Sequence, residues 1–251
     1  MKKKTLLFFP ILFAVGIGLF SCIGNNGNVG NYQNIPAVVT FDYNTGGIML
    51  GTNEFGYIAA SELTDVMPGD CIFLDQFTVD YDNQPSTQYL TMTNVMKHIV
   101  GQSPLEMRSD TVDATGYTLP LTGVSVFSSP YYQGKIFIRQ ACNDADPTFR
   151  LVYNSQDTII NGAMNLYLMA QSSSSVADPS AKGYTMYYAF DLSDLIQSAG
   201  QDTTVTVSGY SDIIDLKYIK VNLNYVSSVS DTGKPTYSGI SQNPFSIIVF
   251  Q

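Results

Sequence analysis

The fold class of this chain follows from residues 71–81, CIFLDQFTVDY, which have the pattern of one long β-strand. The second half of this stretch alternates apolar and polar side chains, so that Phe77, Val79 and Tyr81 share one face. One face of the strand is therefore expected to be buried in a core and the other to contact water.

Short runs of the same kind surround this strand and are separated by Gly, Asn, Asp and Pro. Candidate strands precede it at residues 36–41, 48–51 and 55–60, and another follows at residues 89–96. Five strands within about sixty residues match the size of a small Greek-key barrel of the OB type. We therefore predict an OB-like β-barrel over residues 35–98.

The rest of the chain divides into a connector and a second β domain. Residues 99–122 lack a regular strand pattern and contain Pro104 and Pro120, which predicts a connector. Residues 123–251 contain longer candidate strands, of which YIKVNLNY at residues 218–225 alternates most regularly. The sequence thus predicts an all-β chain, a small OB-like Greek-key barrel followed by an antiparallel β-sandwich.

The first residues predict export and a lipid anchor. Lys2-Lys3-Lys4 precedes an apolar run from Leu6 to Phe20, which is shorter than the ~20 residues of a membrane-spanning helix. Leu19-Phe20-Ser21-Cys22 resembles the bacterial lipobox, whose cysteine becomes the lipid-linked mature N-terminus. We predict a lipoprotein signal peptide over residues 1–21, lipidation of the cysteine, and a flexible Gly/Asn tether over residues 22–34. The alternative is an ordinary signal peptide with a structural cysteine nearby.

The charge of the chain disfavours some partners. Without the signal peptide, nine Lys and Arg residues stand against 21 Asp and Glu residues, a formal net charge of −12. Such an acidic surface repels phosphate backbones and anionic lipid heads, so we predict no nucleic-acid partner. Membrane association is predicted through the N-terminal lipid. This places the protein in the cell envelope, at the outer membrane, with the periplasmic and the external face both left open.

The order of these features resembles the NigD-like lipoproteins of Bacteroides-type bacteria. The matching features are the lipobox that ends in Cys22, the Gly/Asn tether, the hairpin at residues 48–60, Pro68-Gly69-Asp70 before a long strand, and the strands at residues 135–138 and 217–221. The resemblance covers nearly the whole mature chain, as a match of order and spacing. It implies an N-terminal OB-like barrel, a C-terminal β-sandwich and an envelope location, and it implies no particular activity.

The sequence offers few residues for catalysis. His98 is the only histidine, and no Gly-x-Ser-x-Gly motif accompanies it, so a histidine-based triad lacks a recognisable nucleophile. A zinc site of the common kind lacks His and Cys ligands. Paired carboxylates are available to a glycosidase, but such enzymes usually carry tryptophan platforms and this chain has no Trp. We therefore predict that the protein is not an enzyme.

Two cysteines besides Cys22 are left for other roles. Cys71 and Cys142 form a possible disulfide in an oxidising compartment. Each also lies in an apolar, strand-like stretch, where a free cysteine packs as a small hydrophobic side chain. Both states are open at the level of sequence.

Calcium is the one cofactor that the sequence suggests. Oxygen-bearing side chains alternate in two short segments, as they do in calcium loops. The aspartates concerned are Asp80, Asp82, Asp144 and Asp146. The alternative is that these residues serve turns, where Asn and Asp side chains bond to their own backbone.

Tyrosine supplies the candidate ligand contacts. The chain has 17 tyrosines, including the doublets Tyr131-Tyr132 and Tyr187-Tyr188. Their rings could contact a glycan or a protein partner. The alternative is core and edge packing, because one member of each doublet should point inward from a strand.

The function predicted from these features is that of a non-catalytic, lipid-anchored cell-envelope binding protein, whose ligand is an envelope protein or a glycan. One alternative is a structural or assembly component, such as a fimbrial-type subunit that exchanges its last strand, residues 245–251, with a partner. A glycan-binding accessory lipoprotein is the other alternative.

Overall fold

The computed structural model describes residues 28–42, 46–85, 89–110, 115–159, 162–173, 183–206 and 213–250. The predicted signal peptide and the lipidation site Cys22 lie outside these ranges. Within them, no helix combines the length and the hydrophobicity that a bilayer-spanning segment needs.

The first domain is a small β-barrel. Its strands are β1 (Val29–Tyr32), β2 (Ile35–Phe41), β3 (Ile48–Thr52), β4 (Gly56–Ala59), β5 (Cys71–Asp80) and β6 (Met92–Ile99). Strands β1 and β2 pair with successive halves of one edge of β5, β6 pairs with its other edge, and β3 and β4 extend the sheet from β2. A parallel bridge between Ala59 and Thr91 joins β4 to the start of β6 and closes the barrel. This is the OB arrangement, with β1 and β2 as one interrupted strand.

Strand β5 contacts two cores at once. Ile72 and Leu74 are fully buried inside the barrel, whereas Cys71 and Phe73 point the other way and pack against the second domain. The first half of residues 71–81 is therefore apolar on both faces, while the second half alternates. Tyr32 of β1 packs against the core of the barrel, with its ring stacked on Phe77 at 5.4 Å. The buried apolar side chains of this core come from the other five strands and include Ile35, Val39, Leu50, Ile58, Ile72, Leu74, Phe77, Val79 and Met92.

The second domain is a sandwich of two sheets. One sheet has the order β7 (Gly101–Pro104), β13 (Tyr184–Asp191), β10 (Lys135–Cys142), β9 (Thr122–Ser128). The other has the order β14 (Gln201–Thr206), β15 (Ile213–Val229), β12 (Met164–Gln171), β11 (Thr148–Asn154), β8 (Glu106–Arg108). Two further strands of this sheet, β16 (Pro235–Gly239) and β17 (Phe245–Phe250), pair with the long strand β15. The helix α1 (Ser193–Ala199) buries Leu195 and Ile196 against the end of the core. The predicted all-β barrel-plus-sandwich class is confirmed.

The sandwich differs from the prediction in the direction of some strands. It was expected to be antiparallel, but β7 pairs with β13, β8 with β11, and β12 with β15 in parallel. Parallel neighbours are joined by long connections, so their partners cannot be recognised from adjacent strand patterns in the sequence.

The predicted connector and the predicted tether also differ from the structure. Within residues 99–122, β7 and β8 are edge strands of the two sandwich sheets, so the second domain begins at Gly101 rather than at residue 123. Residues 29–32, assigned to the tether, form β1 and pair with β5. Both segments are short and polar, and their pairing to distant strands determines their structure.

The two domains pack directly on each other. One residue, Val100, separates β6 from β7, and it is buried with its amide donating to the carbonyl of Cys71 at 2.8 Å. A shared apolar cluster joins the domains and consists of Val38, Cys71, Phe73, Val100, Tyr132, Phe137 and Ala189. The barrel and the sandwich therefore form one packed unit.

Candidate functional site

The face of the barrel formed by β3 and β4 is the face on which OB barrels commonly bind ligands. In this protein a 3-10 turn of the second domain, Pro130–Tyr132, lies on that face. A Cβ atom built on Gly51 would lie 2.0 Å from the carbonyl oxygen of Tyr131, so only glycine permits this approach. The Tyr132 hydroxyl is buried and donates to the carbonyl of Pro36 at 3.2 Å. The chain therefore covers part of this face itself.

Local sequence explains why the turn has this shape. Ser129 caps it by accepting a hydrogen bond from the Tyr131 amide at 3.3 Å, and Pro130 occupies its first position. The turn ends at Gln133, which has a left-handed backbone with φ of 54°. The Gln133 amide group then donates to the Thr40 hydroxyl at 2.9 Å, which ties the end of the turn to the barrel.

A groove remains open where the turn, the barrel, α1 and the last strand meet, with a volume of about 440 Å³. We call it the junction groove. The barrel contributes one lining residue, Tyr57. The second domain contributes the other nine, which are Pro130, Gln133, Gly134, Ser193, Ile196, Gln197, Lys217, Val249 and Phe250. Its volume lies within the ~300–1,000 Å³ range of small-ligand sites.

One wall of the junction groove is aromatic. Tyr131 lies behind this wall, with its ring edge-to-face against Tyr57 at 5.1 Å and against Phe250 at 5.1 Å. The three rings come from the barrel, the turn and the C-terminal strand. They fix the position of the wall because each ring packs against a neighbour from another element.

The opposite side of the groove is polar and begins at α1. The Ser193 hydroxyl donates to the Gln133 carbonyl at 3.3 Å, and the Gly134 carbonyl accepts from the amide of Leu192 at 3.0 Å. A side chain at Gly134 would meet the Ser193 hydroxyl at 2.8 Å, so glycine allows α1 to lie this close.

The charge of the groove differs from that of the chain. Lys217 lines it, and among the residues that the structure describes no carboxylate does. The chain has 21 acidic residues, so a concave surface lined by a lysine and by no described carboxylate differs in charge from the chain as a whole. The groove can therefore offer donors and apolar contacts without repelling an anionic group.

The tyrosine doublets predicted as ligand contacts serve mainly to pack the domains. Tyr131 supports the groove wall from behind, and Tyr132 is buried between the domains. The Tyr187 ring packs on the Phe73 ring of the barrel at 4.2 Å. Tyr188 packs within the sandwich, and its hydroxyl shares a hydrogen bond of 2.8 Å with the Ser103 hydroxyl. All four side chains thus make packing contacts, and their contact with a ligand stays a prediction.

The aspartates suggested for calcium lie in two separate turns. The Asp80 carboxylate accepts from the amides of Asp82 and Asn83 and from the Asn83 side chain, at 2.8–3.2 Å. Hydrogen bonds, first from the Ser172 hydroxyl and then from the Asp146 amide, lower the pKa of Asp144 to about 2.

The bonds from the local amides to Asp80 and Asp144 are those expected of Asx turns. Asp144 also accepts from Ser172 and Ser173, which joins its turn to the segment that follows β12. In the described part of the chain, no three His, Cys, Asp or Glu side chains converge as a metal site would require. The calcium suggestion stays a prediction.

The cysteines Cys71 and Cys142 do not pair. Both thiols are free and buried, the first in the interface between the domains and the second in the sandwich core. Burial raises the pKa of the Cys71 thiol to about 12, the opposite of the shift that a nucleophilic cysteine needs. His98 lies on the barrel surface and its Nδ1 contacts the Asp75 carboxylate at 3.0 Å.

Sequence reasoning missed the residues that line the groove. Tyr57, Gln133, Gln197, Lys217 and Phe250 are far apart in the chain and belong to no motif. The one usable signal was the segment at residues 129–134, SPYYQG, whose Pro and Gly indicate a turn and whose two rings indicate packing.

Comparison with known proteins identifies the barrel. Residues 27–94 match the family model described as "Lipoprotein OB domain". The match confirms the predicted OB-like barrel. No curated protein matches the sequence.

Two of three similar solved structures from Bacteroides-type bacteria share the fold, and the third shows a weaker likeness. An uncharacterized protein from Parabacteroides merdae is 15% identical with a TM-score of 0.62, covering 87% of this chain and 99% of its own. A putative lipoprotein from Bacteroides fragilis is 13% identical with a TM-score of 0.55, covering 87% of this chain and 97% of its own. A NigD-like immunity protein from Bacteroides caccae is 11% identical with a TM-score of 0.47, covering 90% of this chain and 99% of its own.

Proposed function

We propose that this protein, whose barrel is a lipoprotein OB domain, is a non-catalytic, lipid-anchored protein of the cell envelope that binds a ligand in its junction groove. The observation that carries this proposal is the groove itself. The Pro130–Tyr132 turn covers part of the usual OB binding face, and the surface that remains concave there has a fixed aromatic wall and no lining carboxylate among the described residues.

A binding role is supported over catalysis by the placement of the reactive groups. His98 and Asp75 form an exposed pair on the barrel, away from the groove lining. Both described cysteines are buried, and the pKa of each thiol is raised by burial. A general base and a nucleophile need to converge on one substrate position, and these groups do not line the concave site.

Anchoring near a membrane is supported by the spacing at the N-terminus. The lipobox ends at Cys22 and β1 begins at Val29. Seven residues precede β1 in the mature chain, and an extended chain spans at most ~3.6 Å per residue, so the barrel would stay within about 25 Å of the lipid. The groove would then face ligands of the envelope.

The assembly alternative has less support. Strand β17 pairs with β15 over all six of its residues and buries Ile247 in the sandwich core. Donating this strand to a partner would leave its own core incomplete, at a cost of several kcal/mol for the apolar side chains uncovered.

The test is site-specific photo-crosslinking in cells that make the full lipoprotein. A photoreactive amino acid replaces Gln197, an exposed groove residue on α1, and in the control it replaces Lys234, which is exposed on a distant turn. We expect one defined adduct at Gln197 that is absent at Lys234. The same products at both positions, or none at Gln197, would contradict the proposal.

A further inference from the structure

We infer that the ligand of the junction groove is a short saccharide that carries a carboxylate, with Lys217 as its counter-charge. This inference rests on the proposed function, because it names the ligand class for the same groove. It draws on three independent properties of the lining: its charge, its hydrogen-bonding groups and its shape.

Charge favours an anionic ligand. Lys217 lines the groove, and no ion pair to its ammonium group is found within the described ranges. Asp202 lies opposite it on β14, but it is not a lining residue. A carboxylate placed in the groove would form a charge-assisted hydrogen bond with Lys217, which is shorter and stronger than a bond between neutral groups.

The neutral polar groups favour hydroxyls. The Gln133 side chain uses its NH₂ group on Thr40, which leaves its carbonyl oxygen as an acceptor. The Ser193 hydroxyl uses its proton on the backbone and keeps its lone pairs. Gln197 and Lys217 add donors. Sugar hydroxyls both donate and accept, and therefore suit this mixture better than a carboxylate-only or purely apolar ligand would.

The shape of the groove favours a ring-sized ligand over a protein surface. The groove has a volume of about 440 Å³, which lies in the ~300–1,000 Å³ range of sites that enclose small molecules. Tyr57 and Phe250 flank it, and Ile196 and Val249 add aliphatic surface. The C–H face of a pyranose ring packs on such surfaces while its hydroxyl rim contacts the polar side.

The test compares two probes by isothermal titration calorimetry on the full lipoprotein in detergent micelles. One probe is a disaccharide that ends in glucuronic acid, and the other is the same disaccharide ending in glucose. We expect the acidic probe to bind about tenfold more tightly, in the way that charge-assisted bonds exceed neutral ones. Added salt should reduce this preference, since a partly exposed charge pair is screened.

Variants assign the preference to the lysine. Lys217→Gln should abolish the preference for the acidic probe, whereas Lys234→Gln, which changes an exposed lysine outside the groove lining, should leave the affinity for both probes unchanged. Gln197→Arg adds a second cation at an exposed helix position of the groove and should increase the ratio of the affinity for the acidic probe to that for the neutral probe. This variant keeps the test informative even when Lys217→Gln folds poorly.

Three results would overturn the inference. Equal binding of both probes would remove the role of Lys217. No binding of either probe, while the photoreactive group at Gln197 captures a peptide, would refute the saccharide but leave the proposed binding function intact. Absence of both saccharide binding and any adduct would refute both.

Discussion

Gly51→Ala tests whether the domains are held together through the close approach of the Pro130–Tyr132 turn. The alanine Cβ would lie 2.0 Å from the Tyr131 carbonyl oxygen, a backbone atom, whereas real Cβ contacts are longer than 3.0 Å. The turn must therefore move by more than about 1 Å. Overpacking of this kind costs ~1–3 kcal/mol, and loss of the Tyr132 hydrogen bond to Pro36 adds about 1 kcal/mol.

The expected loss in the free energy of unfolding is thus about 2–4 kcal/mol, measured by urea denaturation. Gly183→Ala is the matched control, because among the described residues the atom nearest to its added Cβ would be in the Asn143 side chain, at the ordinary contact distance of 3.8 Å. That control should stay within about 0.5 kcal/mol of the parent protein. Limited proteolysis should also separate barrel from sandwich in Gly51→Ala first. If both variants have the same stability and the same cleavage pattern, the tight contact does not exist in solution.

Three further results are expected. Gln140→Met should raise the free energy of unfolding by about 1–3 kcal/mol, because both side-chain polar atoms of Gln140 are buried without a partner among the described residues. The control Gln76→Met, at an exposed position, should leave the free energy of unfolding nearly unchanged in the same urea titration. Because the pKa of Asp144 is lowered to about 2, the ionised carboxylate stabilises the fold fully above pH ~4, and this stabilisation is lost as the pH falls towards 2. The difference in the free energy of unfolding between the parent protein and Asp144→Asn should therefore shrink from pH ~4 to pH ~2. Cys71 and Cys142 should react with a thiol reagent only after unfolding, and rapid labelling of the native protein would contradict their burial.

Much of the fold could be predicted because its long strands show a regular alternation of apolar and polar residues in the sequence. The strand at residues 71–81 was placed correctly to within one residue, and the alternation at residues 218–225 lies inside β15. Local periodicity determines such strands. The edge strands β7 and β8 carry no such pattern, because they are short and their partners β13 and β11 lie far along the chain.

The candidate site was much less predictable for the same physical reason. Tyr131 and Tyr132 were selected as ring faces for a ligand, yet their roles depend on Gly51 and Pro36, some eighty to a hundred residues earlier, which accommodate them. Lys217 appeared in the sequence only as the start of a core strand. Its importance comes from its place in the lining of the groove, which is a property of tertiary structure.

The single residue between barrel and sandwich has a consequence for how a ligand would be received. Val100 leaves no length of chain that could act as a hinge, and its burial fixes the angle between the domains. The groove between them is then preorganised, so binding would not require ordering of loops and would lose little conformational entropy. Affinity would be set by fit to an existing shape, and bound and free forms should superimpose with backbone differences below about 1 Å.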